Sequence, residues 1–361
     1  MPKRIPNTMV PLLAVLAAAC GTALPAAHAL AQAGPRVGQR AELNAALDYW
    51  RIMEILGNDA ELADAVREAA DRLSRQDEDG VSVAVDIPGE LRPGGATARL
   101  LVERSSSVAG LIRASSVPSC DFQIRYEDGF DALLPHLRSM RQSAWLLIVD
   151  ARRVAAAGDL SGAAERLAAT LRMARHVASD FTMISSLVAV SMAHSACVQA
   201  AWLLEQPGLA DAQREALHAA ALGFDPEDPF NLVGALTIEQ DMVGLLATKY
   251  RGPDAGRRFA EGFIGDNWEG LEAEERAVAA MDGPRFREAI DRTVDAYDLL
   301  IDAWLAEDAE ERLAAWGARL EAGDFGPIAI LTVPSYGQVR TQAAKGHASL
   351  LRIRDTTAPD R

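Results

Sequence analysis

The densest run of reactive side chains lies between positions 120 and 141. Cys120, Asp121, Tyr126, Glu127, Asp128, His136 and Arg141 bring together a thiol, three carboxylates, a phenol, an imidazole and a guanidinium. A thiol beside an imidazole and a carboxylate is the raw material of a covalent hydrolase. The helix start at about Ala132 could hold an anion through its free N–H groups. On that reading Cys120, Asp121, Tyr126, Asp128, His136 and Arg141 line a polar pocket where a loop folds over a helix N-terminus. The structural alternative uses the same residues differently. Asp128 or Asp131 caps the helix, Tyr126 packs, and His136 bonds a carbonyl.

Two further groupings carry less chemistry. His194 and Cys197 are three apart on one helix, a spacing that can share a metal. Two ligands are too few, and neither a CxxC nor an HExxH motif accompanies them. Glu288, Asp291, Asp295, Asp298 and Asp302 recur every three or four residues and make one acidic helix face. Such a face could meet a cation or a basic partner, or simply be solvated. The chain has no haem-attachment motif and no phosphate-cradling glycine loop. No catalytic residues can be singled out, and no cofactor or metal is expected.

The elements that would position these groups read as helices. Leu43, Ala46, Leu47, Trp50 and Met53 follow helical spacing up to Gly57, and Asn58 with Glu61 is expected to cap the next helix. Helices are predicted over about 132–157, with Pro135 in the first turn, and from Asp159 or Ser161 to 178. Residues 181–204 contain 24 positions without Asp, Glu, Lys or Arg. That is long enough to span a bilayer. Seven of them are Ser, Thr, His or Gln, which favours a central core helix. Further helices are predicted near 209–222, 230–249, 270–281, 285–306, 308–322 and 335–352. Residues 251–269, rich in glycine and carrying Trp268, read as a long loop. Val81, Val83, Val85 and Ile87 alternate with Ser82, Ala84 and Asp86, an extended pattern with no obvious partner strand. Ala151, Gly158, Ala163 and Leu167 match one tetratricopeptide-like helix hairpin, but no second copy recurs. The predicted fold is therefore mainly α: antiparallel helix hairpins around a central apolar helix (181–204), with at most a minor extended segment near 81–87.

The N-terminus reads as an export signal. Lys3 and Arg4 precede an apolar run from Val10 to Ala19. Small residues at Ala29, Ala31 and Ala33 offer cleavage sites. The alternative is lipoprotein processing at Cys20, after Ala17-Ala18-Ala19. Removing residues 1–33 takes two of the 36 basic residues and none of the 51 acidic ones, so the net charge moves from −15 to −17. Such a chain is a poor match to nucleic acid or to anionic lipid. Cys120 and Cys197 remain; they could pair in an oxidising compartment, though Cys197 reads first as a buried small hydrophobe. The expected organisation is a signal peptide (1–33), a linker (34–39), helical regions at 40–224 and 225–354, and a tail (355–361).

Six segments occur in a fixed order: Asn44-Ala-Ala-Leu-Asp-Tyr-Trp50, Cys120-Asp-Phe-Gln-Ile-Arg-Tyr-Glu-Asp-Gly129, Leu134-Pro-His-Leu137, Asp150-Ala-Arg152, Gly158-Asp159 and Met183-Ile-Ser-Ser-Leu-Val188. Together they resemble an uncharacterised family of exported α-helical proteins of planctomycete-type bacteria. The resemblance covers residues 44–190 and extends loosely to Val333-Pro-Ser-Tyr336. It implies a helical fold and export, and it implies no activity. The extended stretch at 81–87 departs from it.

These readings give two functions to separate. One is a non-enzymatic interaction or scaffold protein of the periplasm or cell envelope. Its partners would be envelope proteins, and its membrane link would come only through lipidation at Cys20. The other is a hydrolase using the 120–141 pocket. A membrane protein anchored through 181–204 is a third.

Overall fold

A computed structural model describes residues 44–76, 82–264, 272–333 and 336–358. The signal and linker expected at 1–39, Cys20, Val81 of the extended pattern, Trp268 and the end of the tail lie outside the described residues.

The described chain is mainly α-helical. In order, the helices are α1 (Ala45–Gly57), α2 (Ala60–Asp71), α3 (Ala96–Glu103), α4 (Ser105–Ser115), α5 (His136–Ala156), α6 (Leu160–Ala178), α7 (Met183–Leu204) and α8 (Asp211–Leu222). They continue with α9 (Leu232–Lys249), α10 (Ala255–Ile264), α11 (Ala273–Ala279), α12 (Gly283–Leu305), α13 (Ala309–Glu321), α14 (Pro327–Thr332) and α15 (Tyr336–Thr357). The chain forms two compact units. One comprises 44–122, 135–232 and 340–358, and the other comprises 123–134 and 233–339.

Local sequence explains most helix starts. Asn44 accepts from the Ala46 amide, Asp159 from Gly162, Thr182 from Ser185 and Asp282 from Arg285, each a side-chain cap. The cap of α2 is Asp59, whose carboxylate accepts from Leu62 at 3.1 Å. The expected Asn58 instead closes α1, donating to the Glu54 carbonyl. Asp59 wins because its position leaves the carboxylate facing the free amides of the first turn and lets Arg104 pair with it at 2.7 Å. Pro135 sits just outside α5, so that helix begins at His136.

In the first unit α6 packs against α4, α5, α7 and α8, and α7 packs against α6, α5 and the strand at 82–84. The sequence placed α7 at the centre, yet α6 touches more helices. Ser191 on α7 is exposed, and Leu187, Val188 and His194 are half-buried. Alone among the described helices, α7 is long and apolar enough to cross a membrane, and 61% of its most apolar window is buried against its neighbours. Short connectors join α5 to α6 and α6 to α7, and Gly158 takes a left-handed φ of 88° that stops α5. Successive helices packed on each other across such connectors are consistent with hairpins.

Two expectations need correction. Residues 82–84 are not a lone extended segment; they form β2, paired antiparallel with β1 (Ser74–Gln76), with Arg75 opposite Val83. The partner strand is polar and follows a helix directly, so it has no alternating pattern to read. The predicted loop at 251–269 contains α10. Its glycines are not breakers there. Gly256 lets α10 lie on the backbone of α11 and its end, where an added Cβ would sit 2.0 Å from the Val278 carbonyl oxygen. Phe259 anchors the helix between Tyr250 and Phe286.

The buried face of α12 carries Phe286, Ile290, Tyr297 and Leu300. Glu288, Asp291, Asp295, Asp298 and Asp302 are all exposed. Glu288 pairs with Arg292 at 2.6 Å, and Asp298 accepts from Gln240 at 2.6 Å.

Candidate functional site

His136 is the first residue of α5 and is only 1% exposed. Its Nε2 donates to Asp180 Oδ2 at 2.7 Å. Asp180, 3% exposed, lies in the short connector 179–182 between α6 and α7. The next residue, Phe181, is forced to φ 51°, uncommon for a bulky side chain. That turn keeps Asp180 inside while Thr182 caps α7. The hydroxyl of Ser185 also donates to Asp180 Oδ2, at 3.1 Å, and Thr182 donates to Ser185 at 2.8 Å. Burial raises the Asp180 carboxyl above the usual carboxylate range, and its hydrogen bond from His136 opposes the rise.

An extended segment covers this pair. Phe122 stacks on the His136 ring with centres 4.0 Å apart, and Trp50 meets both rings edge-on at about 6 Å. The segment is fastened to the start of α1. Asn44 donates to the Asp121 carbonyl and accepts from the Asp121 amide, both at 2.9 Å. The Ala45 amide donates to Ser119 O at 3.0 Å. Cys120 is half-buried on this segment. Burial, followed by the charges of Asp180 and Asp121, pushes its thiol well above the ordinary range. A thiol held protonated is a poor nucleophile.

A second buried pair lies nearby. The Tyr49 hydroxyl donates to His176 Nδ1 at 3.0 Å. Burial, aided by Arg175 and Arg172, lowers the His176 pKa to about 4. Burial likewise raises the Tyr49 phenol. Both groups are therefore neutral. His176 Nε2 is buried beside the Val117 backbone without reaching hydrogen-bond geometry. Arg172 and Arg175 serve helix ends. Arg172 donates to Ser115 at the end of α4, and Arg175 to the Gly223 carbonyl after α8, both at 3.3 Å. Cations at helix C-termini are favourable.

The six sequence candidates divide between the two compact units. His136 and Cys120 belong to the covered cluster. Asp121 reaches it through its backbone, with its side chain exposed. Arg141 is exposed and about 140° round α5 from His136. Tyr126 and Asp128 belong to the other compact unit, in a short 3-10 turn, where Asp128 pairs with Arg125 at 3.1 Å.

Asp180, Ser185, Tyr49 and His176 escaped the sequence reading. Asp180 had one signal, as the last charge before the charge-free run. His176 sits among apolar residues of α6 and had none.

The distant segments 44–50, 120–122, 136–137 and 183–188 all contribute to this cluster. No protein-family model, curated protein or solved structure matches this chain. The chemistry of the cluster must carry the functional reading.

That chemistry is not in the order of a nucleophilic triad. In a nucleophilic triad the imidazole stands between acid and nucleophile. Here the acid stands in the middle, accepting from both His136 and Ser185. Elsewhere, His194 bonds Ser349 at 2.9 Å, and burial pushes the Cys197 thiol up to about 12. Cys120 and Cys197 are both free thiols. Among the described residues, no group of three or more His, Cys, Asp or Glu is placed to hold a metal.

Another buried cation has a different role. Arg152, 1% exposed, donates to Gln199 at 3.1 Å and to the Val85 carbonyl, and lies 3.6 Å above the Trp202 ring. Burial lowers its pKa to about 10. Its Nε has no hydrogen-bond partner among the described residues. Gln199 in turn donates to Leu73 O at 3.1 Å. The two side chains hold the residues flanking the β-hairpin onto α5 and α7.

Proposed function

We propose that this chain is an exported, non-enzymatic interaction protein of the cell envelope, freed from its signal near residue 31 or 33 or anchored by lipid at Cys20. The observation that carries this reading is the closed state of its reactive groups. His136, Asp180 and Ser185 are buried, covered by Phe122, and joined in an order suited to holding three segments together. A role in contact rather than chemistry is also supported by the outward face of α1, where Leu47 and Trp50, three residues apart, are exposed beside Arg51 and Glu54. Contiguous exposed apolar groups mark contact surfaces.

The test is affinity capture from an envelope fraction with the native chain and with a Leu47→Ser, Trp50→Ser double variant. Partners held by the native chain and lost by the variant support the reading. An absence of reproducible partners counts against it.

The hydrolase reading keeps one specific observation, the shared contact of His136 and Ser185 with a single carboxylate. It requires the 119–122 segment to open. Labelling of Ser185 or Cys120 by an electrophilic probe at a rate above that of the denatured chain would favour it. Anchoring through 181–204 is less well supported, because most of α7 is covered by protein.

A further inference from the structure

The second unit contains an open depression of about 770 Å³. Its walls are two similar turns, Gly252-Pro253 before α10 and Gly283-Pro284 at the start of α12. The turns touch backbone to backbone, and a Cβ on Gly283 would sit 2.8 Å from the Gly252 carbonyl oxygen. A side chain at Gly283 would push them apart, so the close approach depends on glycine. Tyr250 also lines the depression. Its ring meets Phe259 edge-on at 5.5 Å and Phe286 at 6.1 Å, which fixes its orientation.

The rim interleaves donors and acceptors. Arg251 and Arg287 have no carboxylate within ion-pair distance among the described residues. The carboxylates of Asp282, Glu288 and Asp291 stand on the same rim. Asp282 is partly used by the Arg285 amide, and Glu288 by Arg292. A polyanion would meet the carboxylates, and a polycation would meet the guanidiniums. Placing either there leaves like charges close together, which costs affinity.

We propose that this depression binds a neutral, hydroxyl-rich ligand of the oligosaccharide class. A hydroxyl both donates and accepts, so it is satisfied by guanidinium and carboxylate groups set side by side. The C–H faces of a sugar ring suit the Tyr250 ring and the two prolines. The volume falls in the range of small-ligand sites, roughly 300–1,000 Å³. The site lies within one compact unit and does not depend on the contact surface proposed for α1.

Calorimetric titration of the full chain with maltotriose, cellotriose and triacetylchitotriose tests this, with inorganic phosphate and spermidine as charged controls. At least one trisaccharide should bind saturably, with a dissociation constant of about 1 mM or tighter. Arg287→Ala and Asp291→Ala are exposed changes that leave the core intact. Each should weaken that binding by about fivefold, the equivalent of one hydrogen bond. Saturable binding by none of the three sugars overturns the proposal. So does sugar binding that both variants leave unchanged, or tighter binding of phosphate or spermidine that those variants abolish.

Discussion

The ring of Phe122 lies on the ring of His136, with centres 4.0 Å apart and planes 13° apart. The contact seals a buried imidazole–carboxylate pair beneath a segment with no regular structure. Phe122→Ala should therefore cost about 2–3 kcal/mol, less than a fully buried phenylalanine because the ring is half-buried. Denaturant unfolding measures the loss. Trp50 fluorescence should change in parallel, since Trp50 meets both rings.

Asp180 accepts from two buried donors. Asp180→Ala strands His136 and Ser185 together and should destabilise the first unit by about 3–5 kcal/mol. Ser185→Ala removes one donor while the His136 contact remains, and should cost about 1 kcal/mol. Equal losses from the two changes would show that the carboxylate is not the hub of this cluster.

His176 gives the fold a dependence on pH. Its pKa is about 4 when folded, against about 6.5 for a free histidine. Between these values the unfolded chain takes up a proton that the fold refuses. The stability tied to this group is complete above about pH 6.5, falls as the pH drops toward 4, and is level below that. The full change is roughly 3 kcal/mol. Thermal unfolding of the native chain and of His176→Phe, compared from pH 7.5 to 4, should show a smaller decline in the variant. Parallel curves would remove His176 as the source.

Arg152 is a buried charge with no carboxylate within ion-pair distance among the described residues. Arg152→Ala should cost about 3–4 kcal/mol, because it opens space over Trp202 and strands Gln199 and the Val85 carbonyl. Arg152→Met fills the space and removes the charge penalty, so it should cost about half as much. In both variants amide exchange at Val85, whose N–H bonds Leu73 O at 3.1 Å, should speed up.

The helices were largely legible because their signals are local. Periodicity and caps such as Asp159 and Thr182 act within one turn of the residues they explain. Asp59 displaced Asn58 as a cap because both are good capping residues, and a salt bridge from Arg104, 45 residues away, favours one. The α10 helix was missed because Gly252 and Gly256 look like breakers until their close backbone approaches are known. The cluster was half legible. Cys120 and His136 stood out by type, but Asp180, Tyr49 and His176 are recruited by tertiary packing. Tyr126 and Asp128 belong to a different compact unit from His136, a division that their nearness in sequence does not reveal.

The clasp between Asn44 and Asp121 spans 77 positions of chain. Closing so long a loop costs on the order of 4 kcal/mol in chain entropy before packing returns anything. The helix pairs α5–α6 and α6–α7, joined by short connectors, carry no such cost. Loop closure therefore weighs against the 119–122 segment far more than against the hairpins, so the cover that dries the His136–Asp180 pair is the entropically costliest contact of the cluster.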